Sequence, residues 1–246
     1  MADVRVRFLG SGDAFGSGGR MQTCILVEFN AGSCLIDCGA SSLIALKRAG
    51  VTPNDLDTIL ITHLHGDHFG GLPFFILDGQ FSGRSNPLWI AGPPGLEARV
   101  TEAMEVFFPG SSGARRKFEV QFQELPESVP ASVGPLRVTP YEVLHACGAP
   151  PYALRVEIGG RVVAYSGDTA WTDRLVAAAA GTDLFICESY FYEKQVPFHL
   201  DYSTLMQHRS ELDCKRIVLT HMSSDMLSHL PDLEVQAAHD GFEIIL

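Results

Sequence analysis

Six consecutive residues, His63-Leu64-His65-Gly66-Asp67-His68, place three imidazoles and a carboxylate directly after the apolar run Thr58-Ile59-Leu60-Ile61. The run reads as a buried strand. The cluster therefore sits where that strand leaves its sheet, the edge at which open α/β folds carry their chemistry. In an extended segment His63 and His65 face the same side, and a turn at Gly66 brings Asp67 and His68 back towards them. Neutral imidazole and ionised carboxylate are ligands that a borderline cation such as zinc takes, so this segment half assembles a site for two metals. A solvated polar loop would account for any one of these residues, but not for all four at this spacing.

Strand and helix signals alternate along the rest of the chain. Val4 to Leu9 reads as a strand, followed by a glycine-rich turn from Gly10 to Gly19. Cys24 to Phe29 and Cys34 to Asp37 form a hairpin over Asn30-Ala31-Gly32. A helix capped at Ser41 or Ser42 runs to Arg48 and stops at Gly50. An apolar stretch, Phe69 to Leu77, follows the histidine cluster. Leu88 to Ala91 is a short strand, and Pro94 opens a helix to about Phe108. The second half repeats the mixture: strands at Phe118 to Phe122 and Leu136 to Leu144, then a hairpin of Tyr152 to Ile158 with Arg161 to Tyr165 over Gly159-Gly160. A helix from Thr172 to Ala180, a strand from Leu184 to Cys187, a helix from Ser203 to Leu212 and a strand from Ile217 to Thr220 come next. A late helix after Asp232 and a strand from Phe242 to Leu246 end the series. Two halves that each mix strands with outer helices predict an α/β four-layer αββα sandwich, and one domain over residues 1–246 is expected.

Composition narrows the function. The chain has 246 residues, 46% of them apolar, enough for a large core. Val4, Val6 and Phe8 alternate with Arg5 and Arg7 as in a strand, not as in a signal peptide. No apolar stretch reaches the ~20 residues that cross a bilayer, so no membrane partner and a cytoplasmic location are expected. The six cysteines form no Cys-x-x-Cys pair and read as buried free thiols. A net charge of -11 disfavours an extensive grip on a polynucleotide, although Arg115-Arg116-Lys117 forms one basic cluster. Phe74, Phe75, Phe107 and Phe108 could supply an apolar patch for a dimer, but core is the first reading of all four.

Three more positions repeat the pattern of a ligand type just past a strand: His145, Asp168 and His221. The whole set resembles the metallo-β-lactamase superfamily, whose fold is the αββα sandwich and whose site holds two metals. On that resemblance His63, His65 and His145 would bind one metal, Asp67, His68 and His221 the second, and Asp168 would bridge them. Asp37, in Leu35-Ile36-Asp37-Cys38-Gly39, matches the family's early aspartate that orients the site. An aspartate at 168 resembles the phosphodiesterase, thioesterase and lactonase branches and not the true β-lactamases.

Local segments are most similar to the ribonuclease Z-like branch. These are Phe8-Leu9-Gly10-Ser11-Gly12-Asp13-Ala14, in which Asp13 is not the usual residue, Thr62 through Pro73, and Trp89 through Leu96. Glu188 resembles the glutamate that steadies an additional histidine in that branch, for which His199 is the candidate. The catalytic set is then Asp67, His199 and Glu188. The expected chemistry is attack by a metal-bound hydroxide on phosphorus, with His199 serving the leaving oxygen. Two departures matter. His145 and Asp168 are joined by little more than one hairpin, leaving no room for the arm that clamps transfer RNA. Leu200-Asp201-Tyr202 also interrupts the usual His-Ser-Thr motif, and the ending, His199-Leu200-Asp201 followed by Leu219-Thr220-His221-Met222-Ser223, is instead similar to the phosphoribosyl cyclic phosphodiesterases. The resemblance implies an armless phosphodiesterase with two divalent metal ions, zinc or manganese, acting on small or cyclic phosphodiesters. RNA 3′-end processing is the alternative, a thioesterase or lactonase the rival from another class, and a homodimer is expected from resemblance alone.

Overall fold

Cys34 and Ile36 leave their strand, β3 (Gly32–Ile36), on one side and Leu35 on the other, yet both faces are buried. That is the mark of a strand with a second layer on each side, and it recurs across the computed structural model, which describes residues 4–246. The first sheet adds β1 (Arg5–Gly10), β2 (Cys24–Phe29), β4 (Thr58–Leu60), β5 (Leu88–Gly92) and β6 (Val120–Glu124). The second contains β7 (Ala131–Val133), β8 (Leu136–Glu142), β9 (Tyr152–Ile158), β10 (Arg161–Tyr165), β11 (Leu184–Glu188), β12 (Ile217–Thr220) and β13 (Gln236–Ala237), in chain order from one edge to the other. The last strand, β14 (Phe242–Ile245), returns to the first sheet and pairs antiparallel with β1, so the order there is β14-β1-β2-β3-β4-β5-β6.

Three apolar clusters make the four layers. Val6, Phe8, Ile36 and Leu60 of the first sheet meet Val156, Val163, Tyr165 and Ile186 of the second between the sheets. Outside the first sheet, Leu35, Ile59 and Ile90 pack on Leu46 of α1 (Ser42–Arg48), Phe75 of α3 (Leu72–Phe81) and Val100 of α4 (Leu96–Phe107). Outside the second, Ala164, Phe185 and Leu219 pack on Leu175 of α5 (Arg174–Ala179), Leu205 of α6 (Tyr202–Gln207) and Met226 of α7 (Ser224–Ser228). Each fully buried side chain of this size contributes roughly 1.5–3 kcal/mol of transfer free energy. The αββα sandwich expected from the sequence is the fold observed.

Several boundaries differ. No helix follows Asp232. The helical turns, α7 and a 3-10 turn at Leu230–Asp232, come before it, and the chain is extended at Leu233. The reason is the open edge of β12, whose backbone groups are satisfied when Gln236 and Ala237 pair parallel with Val218 and Leu219. The helix expected to run to Leu212 stops at Gln207 and continues as a 3-10 turn. The apolar stretch after the histidines is α3, starting at Leu72 and extending to Phe81. Phe75 is core, but Phe107 is 50% exposed and stacks near Phe74 on the surface, so the expectation that all four phenylalanines are interior is corrected. All six thiols are free, five of them buried and Cys214 half-buried. Among the described residues no helix is long and apolar enough to cross a membrane.

Candidate metal centre

The site lies at the carboxyl ends of the strands, where both sheets open. Asp37 follows β3, and His63, His65, Asp67 and His68 follow β4, the last two on the short helix α2 (Gly66–Phe69). His145 follows β8, Asp168 follows β10, Glu188 ends β11 and His221 follows β12. The two loops of the first sheet are locked backbone to backbone. The Cys38 amide donates to the His68 carbonyl at 2.6 Å, and the Gly71 amide donates to the Cys38 carbonyl at 2.8 Å. Glycine is required at 39 because a Cβ there would lie 2.2 Å from the Asp67 carbonyl oxygen.

All seven ligand candidates come together. His63, His65 and His145 form one group, and Asp67, His68, Asp168 and His221 a second, with the ligand atoms in each group within 4.8 Å of one another. Asp168 lies between the groups: its Oδ1 is 3.3 Å from His68 Nε2, and its Oδ2 is 3.4 Å from His221 Nε2 and 3.9 Å from His63 Nε2.

Outer partners set which imidazole nitrogen faces inward. Asp37 accepts from His68 Nδ1 at 2.6 Å and from the Thr62 hydroxyl at 2.8 Å. With its own proton committed to Asp37, the Thr62 hydroxyl oxygen accepts from His63 Nδ1 at 3.1 Å. His145 Nδ1 donates to the Phe198 carbonyl at 2.9 Å. Each histidine so held turns Nε2 towards the centre, the arrangement that orients metal-bound imidazoles. Inside, His63 Nε2, His68 Nε2 and Asp168 Oδ1 are buried without a hydrogen-bond partner. Buried polar atoms normally have partners; a converging set of bare imidazole and carboxylate atoms fits divalent cations.

The electrostatics agree with that fit. Burial pushes the His63, His65 and His145 imidazoles below their usual range, keeping them neutral and able to bind a cation. Burial acts the same way on His68 and His221. There, however, the surrounding carboxylates, Asp168 foremost, overcome it and raise both. The same pairing holds Asp67 and Asp168 below the carboxylate range in spite of their burial. The pocket therefore calls for positive charge.

His199 and Glu188 are also brought together. Glu188 is fully buried, accepts from the Thr169 amide, and lies 3.0 Å from His199 Nδ1. Burial and the nearby Asp168 charge push the Glu188 carboxyl well up. The reading of the sequence missed Thr62, Thr169, Phe198 and Tyr190, whose ring stacks on His199 at 4.7 Å. Tyr190 had a signal: it lies two residues past Glu188, on the same side of an extended chain.

Comparison with known proteins agrees with this geometry. Ribonuclease Z of Anoxybacillus flavithermus is 27% identical over 97% of this chain and 93% of its own length, and that of Methanothermobacter thermautotrophicus is 27% identical over 90% and 87%. The short form of human tRNase Z superposes with a TM-score of 0.79 at 25% identity, covering 98% of each chain. The metallo-β-lactamase fold protein YhfI of Bacillus subtilis does so with a TM-score of 0.77 at 23% identity, covering 99% of this chain and all of the other. The model of the family described as anti-Pycsar protein Apyc1 matches residues 4–239. The chain belongs to that family, and with it to the ribonuclease Z-like part of the metallo-β-lactamase superfamily of metal-dependent hydrolases.

Proposed function

We propose that the chain is a dinuclear phosphodiesterase acting on small or cyclic phosphodiesters. The observation that carries this reading is the pairing of buried Glu188 with half-buried His199, 3.0 Å apart, at the rim of two adjoining ligand groups. In this reading His63, His65 and His145 would hold one cation and Asp67, His68 and His221 the other, with Asp168, which lies between the two groups, shared by both. Two bound divalent ions, zinc or manganese, would supply Lewis acidity and neutralise charge developing on the phosphoryl oxygens. The protein's own groups do the rest. Asp37 keeps His63 and His68 in the correct tautomer through Thr62 and directly. Glu188 holds His199 by Nδ1, leaving Nε2 to deliver a proton to the leaving oxygen. Tyr190 stacks on that ring and limits its rotation.

Preference for a small substrate is supported by what the chain lacks as well as by its charge. The connection from His145 to Asp168 is β9, β10 and the turn between them. Alignment with the Anoxybacillus ribonuclease Z spans 297 positions, against 246 residues here, so that relative carries segments absent from this chain. In the basic cluster, Arg116 turns back on the Ser111 and Ser112 carbonyls of its own loop. The names of the relatives favour the second reading, processing of transfer RNA 3′ ends. Turnover of bis-p-nitrophenyl phosphate and of 3′-extended precursor transfer RNA by zinc- or manganese-loaded protein tests both. Cleavage of the diester with intact RNA is expected. Release of the RNA trailer at matched enzyme concentration would establish the second reading, and hydrolysis of thioesters or lactones in preference to both would overturn the two together.

A further inference from the structure

We propose that Phe198 is the specificity residue of this site, stacking its ring on a flat aromatic group attached to the phosphodiester. The inference rests on the phosphodiesterase reading. Four non-glycine residues have a left-handed backbone among the described residues: Asp37, Ser128, Phe198 and His221, with φ of 60°, 59°, 69° and 56°. Three of them are in or beside the metal centre. Asp37 and His221 have evident reasons to be there, since each aims a polar side chain at the cluster. Phe198 does not. An aromatic residue is a poor occupant of this region of backbone space, and such strain persists at functional sites, where the surroundings over-determine it.

The backbone itself explains only half of the position. The Phe198 carbonyl accepts from His145 Nδ1 at 2.9 Å in this left-handed turn. Glycine would make that turn without strain. Nor does the ring stabilise the fold by burial: Phe198 is 47% exposed and meets the His145 ring only edge-on, at 6.4 Å between centroids. A strained position that keeps an exposed phenylalanine is explained by a contact formed when ligand is present. The turn is preorganised for it. Pro197 fixes one dihedral, Val196 and His199 bridge across the turn, and the Tyr190 amide donates to the Leu200 carbonyl at 2.8 Å. The His145 ring lies between the two, 6.4 Å from the Phe198 ring and 5.1 Å from that of His199, so Phe198 stands at the same rim as the group that would protonate the leaving oxygen. A flat group stacked there would be held next to that donor, and stacking of a base on an aromatic side chain is sequence-tolerant and strong.

The test uses zinc-loaded Phe198→Trp, followed by fluorescence during titration with a nucleoside monophosphate, ribose 5-phosphate and inorganic phosphate. Quenching by the nucleoside monophosphate alone is expected. Equal responses to all three, or none, overturn the proposal. Phe198→Gly separates ring from backbone: it should keep the zinc content and Tm of the parent, because the carbonyl stays in place, while binding the nucleoside monophosphate about tenfold more weakly. A loss of zinc and several degrees of Tm, with affinity unchanged, would make the residue structural. Binding is read here without turnover, so inactivity of the parent towards bis-p-nitrophenyl phosphate would sink the phosphodiesterase reading and leave this test standing separately.

Discussion

The two sheets furnish the site in different ways. The first delivers His63, His65, Asp67 and His68 from one connection of six residues after β4, whereas the second delivers His145, Asp168, Glu188 and His221 singly, from β8, β10, β11 and β12. A contiguous cluster is held by the packing of its own loop against a neighbouring loop, here the Cys38–His68 and Gly71–Cys38 hydrogen bonds. A distributed set depends on the register of a whole sheet. Register errors in a sheet turn side chains to the opposite face, so the second sheet must be tightly specified. Its parallel strands β10, β11 and β12 supply that as a continuous apolar run on both faces.

The largest expected effects break the contiguous side. Asp67→Ala or His68→Ala should abolish measurable turnover of bis-p-nitrophenyl phosphate, a loss on the order of 10³-fold or more, beyond the 10–100-fold typical of an outer partner. Steady-state kinetics with metal analysis of the same samples checks it, and retained activity in either variant removes that residue from the ligand set. On the distributed side, His199→Ala should lower kcat by about 10²–10⁴-fold, the range for a positioned proton donor, with metal content equal to that of the parent. Full activity in that variant would take His199 out of the mechanism.

A smaller effect joins the two sides of the comparison. Asp37 touches no ligand position of the second sheet, yet it orients both His63, through Thr62, and His68. Asp37→Ala should therefore weaken zinc binding by about 10–100-fold, measured by competition with a chromophoric chelator. Unchanged affinity would mean that the loop backbone alone aims the two imidazoles. The same contrast governs what could be read from sequence. The contiguous cluster announced itself, because a strand-length apolar run ended in four ligand types. His145, Asp168 and His221 became readable only as a set, each one being an ordinary residue after a strand. Thr62 and Phe198 act through a hydroxyl relay and a backbone carbonyl, neither of which leaves a spacing pattern. The three-residue β7 was missed for a similar reason, being too short for alternation to register. The helix wrongly expected after Asp232 shows tertiary context overriding a local signal: an open sheet edge recruits Gln236 and Ala237 as a strand.

The smallest effect concerns the thiols, which report how tightly each sheet is closed. Cys24, Cys34 and Cys38 all belong to the first sheet or its exit, and all are fully buried. Burial pushes the Cys24 and Cys34 thiols up to about 12, so the reactive thiolate is scarce at neutral pH. In the second half, Cys147 and Cys187 are buried while Cys214, on the connection to β12, is half-buried. Native protein should therefore release about one equivalent of chromophore from a disulfide reagent, with the remaining five thiols reacting only after unfolding, and Cys214→Ser should remove that one equivalent. Prompt labelling of Cys24 or Cys34 would show that the sheet carrying the contiguous cluster opens in solution. In that case its loop-to-loop hydrogen bonds, and not the packing of the strands beneath, would be what keeps His63 to His68 assembled.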